Sequence, residues 1–202
     1  MNDPIRPEVK KIFWDSINEL DSTLKQVRKN HAHGVQLLSR FDMLKQYNEV
    51  YVHEVTEFRN TGGSFTLMLL EKHLTIITTN RLRVRSKKNI EEYEPVMTFN
   101  VAVDMGKVFV KEETLSEKVL DVFTKADIDF KDFPKFSSKY FVVGENPDLV
   151  RQHFPKPLLE TLSIAKGMNV EINGTLGLLR PQKNLSKEVL HRILHIGYRL
   201  TK

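Results

Sequence analysis

Between Tyr47 and Val110 apolar side chains tend to recur at every second position, and that alternation limits the fold of this chain more than any other feature. A period of two puts those side chains on one face of an extended strand. Val50, Val52 and Phe58, with Val55 nearby, form a first run. Asn60-Thr61-Gly62-Gly63 supplies a turn, and Phe65, Leu67 and Leu69 open a second run, which predicts a hairpin. β character continues through residues 74–79 and 81–85. Met97, Phe99, Val101 and Val103 then alternate with Thr98, Asn100 and Ala102, and Asp104-Met105-Gly106-Lys107 makes a turn before Val108-Phe109-Val110. An antiparallel meander over 47–110 is expected. Residues 86–95, SKKNIEEYEP, read as a long loop because charge replaces the apolar pattern there.

Helical patterns flank this β region. A helix is predicted over residues 6–29, with Pro7 in its first turn, where a missing N–H costs nothing. Phe13, Ile17, Leu20, Leu24 and Val27 are spaced as a narrow a/d seam. Such a seam either docks on the rest of the chain or pairs with the same helix of a second copy. His31-Ala32-His33-Gly34 reads as a loop. Thr114-Leu115-Ser116-Glu117 forms a capping box for a helix over 115–124, and Ile128 and Phe130 suggest a short strand. Another strand is expected over 140–143. Asn146 and Pro147 start a further helix, which Pro155 and Pro157 break and Gly167 ends. Asn173-Gly174 marks a tight hairpin, and Ser186 caps a last helix with Val189, Ile193, Ile196 and Leu200 inward. The fold class expected is therefore α+β: an N-terminal amphipathic helix, an antiparallel meander, and C-terminal helices packed on one sheet face. Residues 1–202 read as a single domain, with a helical segment over 1–34, a mostly β part over 47–110 and a mixed part over 111–202.

Composition removes several functions. The 202 residues contain no cysteine, which excludes disulfides, iron–sulfur clusters and thiol nucleophiles. The start MNDPIRPEVKKIFWDS lacks the apolar core of a signal peptide, and no apolar run reaches the 18 or so residues that span a bilayer. The expectation is a cytoplasmic chain with no integral membrane segment.

The charge is more local than its total suggests. Residues 81–88 read RLRVRSKK, and taking Arg81, Arg83, Arg85, Lys87 and Lys88 from the 31 basic residues leaves 26 against 26 acids. In a strand, Arg81, Arg83, Arg85 and Lys87 share one face, with Leu82 and Val84 on the other. This basic stripe serves either a polyanion, which would release counterions on binding, or the protection of a sheet edge. If Glu91, Glu92 and Glu94 folded back to neutralise it, the polyanion use would disappear.

Other clusters carry weaker chemistry. His191 and His195 stand four apart, but Arg192 occupies the place of a metalloprotease glutamate, and the helical phase turns both histidines outward. Asp127, Asp129 and Asp132 lack the glycine and distant glutamate of a calcium loop. Glu71 with His73, and His53 with Glu57, share strand faces and are the acid–base pairs within reach. No metal site, cofactor or catalytic residue is assigned.

The stretches FPKFSSKYFVVGENPDLVRQHFPKPLLETL and NVEINGTLGLL, with their aromatic-flanked strand, capped short helix, second helix and hairpin, resemble bacterial domains of unknown function over about residues 95–180. Such families look like intracellular domains attached to membrane segments, and the resemblance implies no catalytic residue. The function expected is a non-catalytic binding or scaffold domain, with a protein partner or a homodimer through Phe13, Ile17, Leu20, Leu24 and Val27. The alternatives are binding of nucleic acid or another polyanion through residues 81–88, and an enzyme of unassigned chemistry.

Overall fold

The computed structural model describes residues 5–19, 24–79, 85–112 and 127–202, with backbone only at 79, 85 and 86. Among them, eight strands form one antiparallel sheet: β1 (Lys25–Arg28), β2 (Glu49–Arg59), β3 (Ser64–Thr79), β4 (Arg85–Asn100), β5 (Lys107–Glu112), β6 (Tyr140–Gly144), β7 (Met168–Asn173) and β8 (Leu176–Pro181). Their order across the sheet is β1-β2-β3-β4-β8-β7-β5-β6. The meander therefore holds from β2 to β4 and then breaks. β4 takes β8 as its next neighbour, pairing Met97 with Leu179 and Asn100 with Leu176, and β5 lies between β7 and β6.

One face of the sheet carries most of the helices. α1 (Pro7–Asn18), α3 (Pro134–Ser137), α4 (Pro147–His153), α5 (Lys156–Ile164) and α6 (Lys187–Leu200) close over Phe58, Phe65, Leu67, Leu69, Met97, Val108, Val110, Val170 and Ile172. Of the caps read from the sequence, those at Asn146 and Ser186 form as expected, and the Thr114 capping box lies outside the described residues. Asn146 accepts from the Leu149 N–H at 3.2 Å, and Ser186 accepts from the Val189 N–H at 3.2 Å. Val189, Ile193 and Ile196 face inward, while His191 and His195 are exposed. Gly174, at φ +66°, opens the β7–β8 turn.

The opposite face has a thinner cover. α2 (His31–Leu38) and the turns after it bury Met68, Leu70, Val96, Leu176 and Leu178 under Leu38, Phe41 and Leu44. The HAHG segment is thus helical instead of a loop. The Asn30 side chain caps it by accepting from the His33 N–H at 2.9 Å. Gly34 lets it lie close on the sheet, since a Cβ there would stand 2.9 Å from the methyls of Val52 and Val55.

Three further expectations are corrected. The N-terminal helix stops at Asn18, and Val27 lies in β1, opposite Glu57 on β2. The offer of an edge position overrides a helical periodicity whose propensities are small. The predicted loop over 86–95 is the middle of β4, in continuous register with β3 from Thr79↔Arg85 to Phe65↔Phe99. Pro95 is accommodated because β8 joins that side of β4 only from Met97 onward. Ile128 and Phe130 are buried but belong to no strand. The predicted helix over 115–124 lies outside the described residues.

Candidate functional site

β3 and β4 are longer than their neighbours. β2 pairs with β3 as far as His73, and β8 pairs with β4 only at residues 97–100, so beyond His73 and Glu91 the two long strands pair only with each other. Six further residues on each, from His73 to Thr79 and from Glu91 to Arg85, make an arm reaching roughly 20 Å past β2. Asn48 braces its base by accepting from the Thr75 N–H at 2.7 Å.

Of the basic stripe, residues 85–88 lie on this arm. Arg85 pairs with Thr79, Lys87 with Ile77 and Lys88 with Ile76, so Lys87 lies on one face of the ribbon and Lys88 on the other. Lys87 and Lys88 are exposed. Arg81 and Arg83 lie outside the described residues, as does the side chain of Arg85. The three acids that follow are engaged elsewhere. Glu91 accepts from Arg6 at 2.7 Å, Glu92 lies 3.3 Å from the Lys72 ammonium, and Glu94 pairs with Lys72 and Arg180. Among the described residues, no ion pair joins these acids to Lys87 or Lys88. Two large aliphatic side chains are exposed at the same level: Ile76 at 38% and Ile77 at 65%.

At the base of the arm lies a feature that sequence reading missed. Even-numbered residues of β3 and β4 continue the thinly covered face from Met68 and Leu70 through Lys72 to Leu74, and from Val96 through Glu94 and Glu92 to Ile90. Lys72, Glu94 and Arg180 are all buried there. Arg180 donates to both Glu94 carboxylate oxygens, Nε at 2.8 Å and Nη2 at 2.9 Å. It also donates to the Met43 carbonyl at 2.8 Å and the Tyr47 hydroxyl at 2.9 Å, while Lys72 donates to the same hydroxyl at 3.1 Å. Burial alone would depress the Lys72 ammonium, but Glu94 and Tyr47 hold it above the ordinary lysine value. The group borders a polar cavity of about 640 Å³ that also touches Lys111, Asn169 and Gln182. Its cations are already neutralised and hydrogen-bonded, so it acts as a charged keystone under the 43–47 turn.

Glu171 anchors the same turn. Fully buried, it accepts from the backbone N–H groups of Asp42 at 2.7 Å and Met43 at 2.8 Å. Burial pushes its carboxyl above the ordinary value of 4.5, and the two N–H donors offset this only in part. The folded chain therefore holds a proton at Glu171 more readily than the unfolded chain does. The contribution of this group to stability is greatest below about pH 4.5 and falls as pH rises through its raised value. Urea midpoints of the parent are expected to decline relative to those of Glu171→Gln across that rise. Parallel pH curves for the two proteins would refute it.

On the helical face, Glu71 binds two imidazoles: His53 Nε2 at 2.7 Å and His73 Nε2 at 2.5 Å. A carboxylate can only accept, so both ring nitrogens donate. Burial raises the Glu71 carboxyl, but the two imidazoles outweigh it and leave it below the ordinary value. The Glu71–His73 pair was legible in strand parity. The His53–Glu71 pair was not, because a β-bulge between Val52 and Glu54 re-aims His53. Glu57 instead pairs with Arg59 and Lys29. Among the described residues, no group of three or more histidines and carboxylates is placed to hold a metal ion.

The residues of the N-terminal seam separate. Phe13, Ile17 and Leu24 are buried in this chain's own core, Val27 is half-buried in β1, and Leu20 lies outside the described residues.

No family model and no curated protein matches the chain. The crystal structure of the mycobacterial trehalose monomycolate transport factor A, TtfA, is similar, with a TM-score of 0.54 over 97% of this chain and 94% of that one. Sequence identity is 12%. The likeness is one of fold. Among the described residues, no helix is long and apolar enough to cross a membrane.

Proposed function

We propose that this chain is a non-catalytic binding domain that takes an anionic partner on the β3–β4 arm, through Arg81, Arg83, Arg85, Lys87 and Lys88. The observation that carries the proposal is the engagement of Glu91, Glu92 and Glu94 by Arg6, Lys72 and Arg180, away from the exposed Lys87 and Lys88. A sheet gains no pairing partner by extending two strands past their neighbours, and an isolated two-stranded ribbon is at best marginally stable in water. Charged side chains on an edge strand discourage sheet-to-sheet pairing, but residues 81–88 gather the entire basic excess of the chain. A binding role agrees with the fold neighbour, which is a trehalose monomycolate transport factor. The seam residues buried in the core give no support to pairing through α1.

Heparin binding measured at increasing salt tests the proposal. With five cations engaged, affinity is expected to fall roughly a hundredfold between about 50 and 200 mM salt, as counterion release requires. Arg81→Glu/Arg83→Glu/Arg85→Glu should abolish it. A variant that binds like the parent, or an affinity insensitive to salt, would refute this use of the arm.

A further inference from the structure

Resting on that reading of the arm, we infer that its partner is the surface of an anionic phospholipid bilayer. The residues from Leu74 to Ile90 are LTIITTNRLRVRSKKNI, a stretch with five cations, no acid and no aromatic ring. Within it, aliphatic and cationic side chains stand side by side on both faces of the ribbon: Ile76 opposite Lys88, and Ile77 opposite Lys87. Both isoleucines are exposed although the sheet offers ample apolar surface elsewhere, and Ile77 is exposed at 65%.

A nucleic acid does not account for this arrangement. Base stacking needs aromatic rings, which the stretch lacks, and an exposed β-branched aliphatic chain beside each lysine neither stacks on a base nor hydrogen-bonds to its edge. A phosphate backbone would be met by cations on one face, leaving the isoleucine of the other face in water. The boundary between headgroups and acyl chains matches all four side chains together. There isoleucine enters the apolar layer, and lysine at the same depth extends its stem so that the ammonium meets lipid phosphate or carboxylate. The outer edges of a two-stranded ribbon carry backbone groups that hydrocarbon cannot satisfy, so the arm rests in the interface and does not cross it.

The test uses the full chain with vesicles of phosphatidylcholine alone, vesicles of phosphatidylcholine mixed with phosphatidylserine, single-stranded RNA and heparin. Co-sedimentation is expected with the mixed vesicles and not with phosphatidylcholine alone. Ile76→Ser/Ile77→Ser should weaken vesicle binding by roughly tenfold while leaving heparin binding unchanged, and Lys87→Gln/Lys88→Gln should weaken both by a similar factor. All four positions are exposed, so unchanged melting temperatures will show that the variants fold. Binding to RNA and heparin without binding to mixed vesicles would overturn the lipid assignment and leave the anionic-partner reading standing. Vesicle binding indifferent to the two isoleucines would also overturn it. Failure of every anionic probe to bind would remove both.

Discussion

Glu94→Gln is expected to lower the unfolding midpoint by roughly 10 °C. The Glu94 side chain is 1% exposed and lies between the Arg180 guanidinium and the Lys72 ammonium, themselves 8% and 4% exposed. Glutamine preserves the shape and removes the charge, leaving two buried cations whose nearest remaining acid is Glu92, 3.3 Å from Lys72 and one-third exposed. One oxygen of the carboxylate is also replaced by an amide that donates toward existing donors. Removing one partner from a buried ion pair costs about 3–5 kcal/mol, because the surviving charge has neither water nor a counterion. For a chain of this length each kcal/mol shifts the melting temperature by about 2–4 °C. The companion variant Lys72→Met/Glu94→Leu/Arg180→Met removes all three charges and should stay within about 2 kcal/mol of the parent, since apolar replacement of a whole buried cluster is often neutral. Thermal and urea melts of both variants check the pair of expectations. If Glu94→Gln melts with the parent, the 640 Å³ cavity already hydrates the cluster and the keystone reading fails.

That cluster also shows where the sequence stops being informative. In the structure Met68, Leu70 and Lys72 share one face of β3, and Leu176, Leu178 and Arg180 share one face of β8, so each charge follows two buried residues. What parity cannot supply is the neighbour. Glu94 and Arg180 are 86 positions apart, and they meet only because β4 pairs with β8 instead of β5. No turn signal between them encodes that choice. Where the deciding interaction is local, the sequence was readable: the Asn146 and Ser186 caps and the β7–β8 hairpin appear where their residues require. The same distinction explains the misreading of residues 86–95. Their charges look like a loop until the distant partners Arg6, Lys72 and Arg180 are in place, and then they form a strand. The basic stripe was visible at once. The position of residues 85–88 on an arm beyond the neighbouring strands was not, because strand ends are set by where other strands stop.

The N-terminal seam gives the second large effect, and it separates the two uses the spacing allowed. Phe13 and Ile17 are fully buried in α1, packed with Leu24, Phe58, Phe65 and the inner face of α6. Truncating a buried phenylalanine removes its transfer energy and leaves a cavity, so Phe13→Ala is expected to cost about 3–5 kcal/mol. Ile17→Val, which deletes one methylene, should cost about 1 kcal/mol and keeps the question answerable if the alanine variant does not fold. For a seam that docks within its own chain, these losses are independent of protein concentration. A seam that pairs two copies makes the folded state more stable as concentration rises, by mass action. Melts of the parent and of Ile17→Val over a wide concentration range therefore distinguish the two, with coincident curves expected for each protein. A parent midpoint that climbs with concentration, and climbs less in Ile17→Val, would return the seam to self-association. Coincident curves would leave α1 as a structural brace, with its Arg6 side chain holding Glu91 at the base of the arm at 2.7 Å. Through that contact the helix supports the proposed site indirectly, because it helps keep Glu91 from neutralising the cations beyond it.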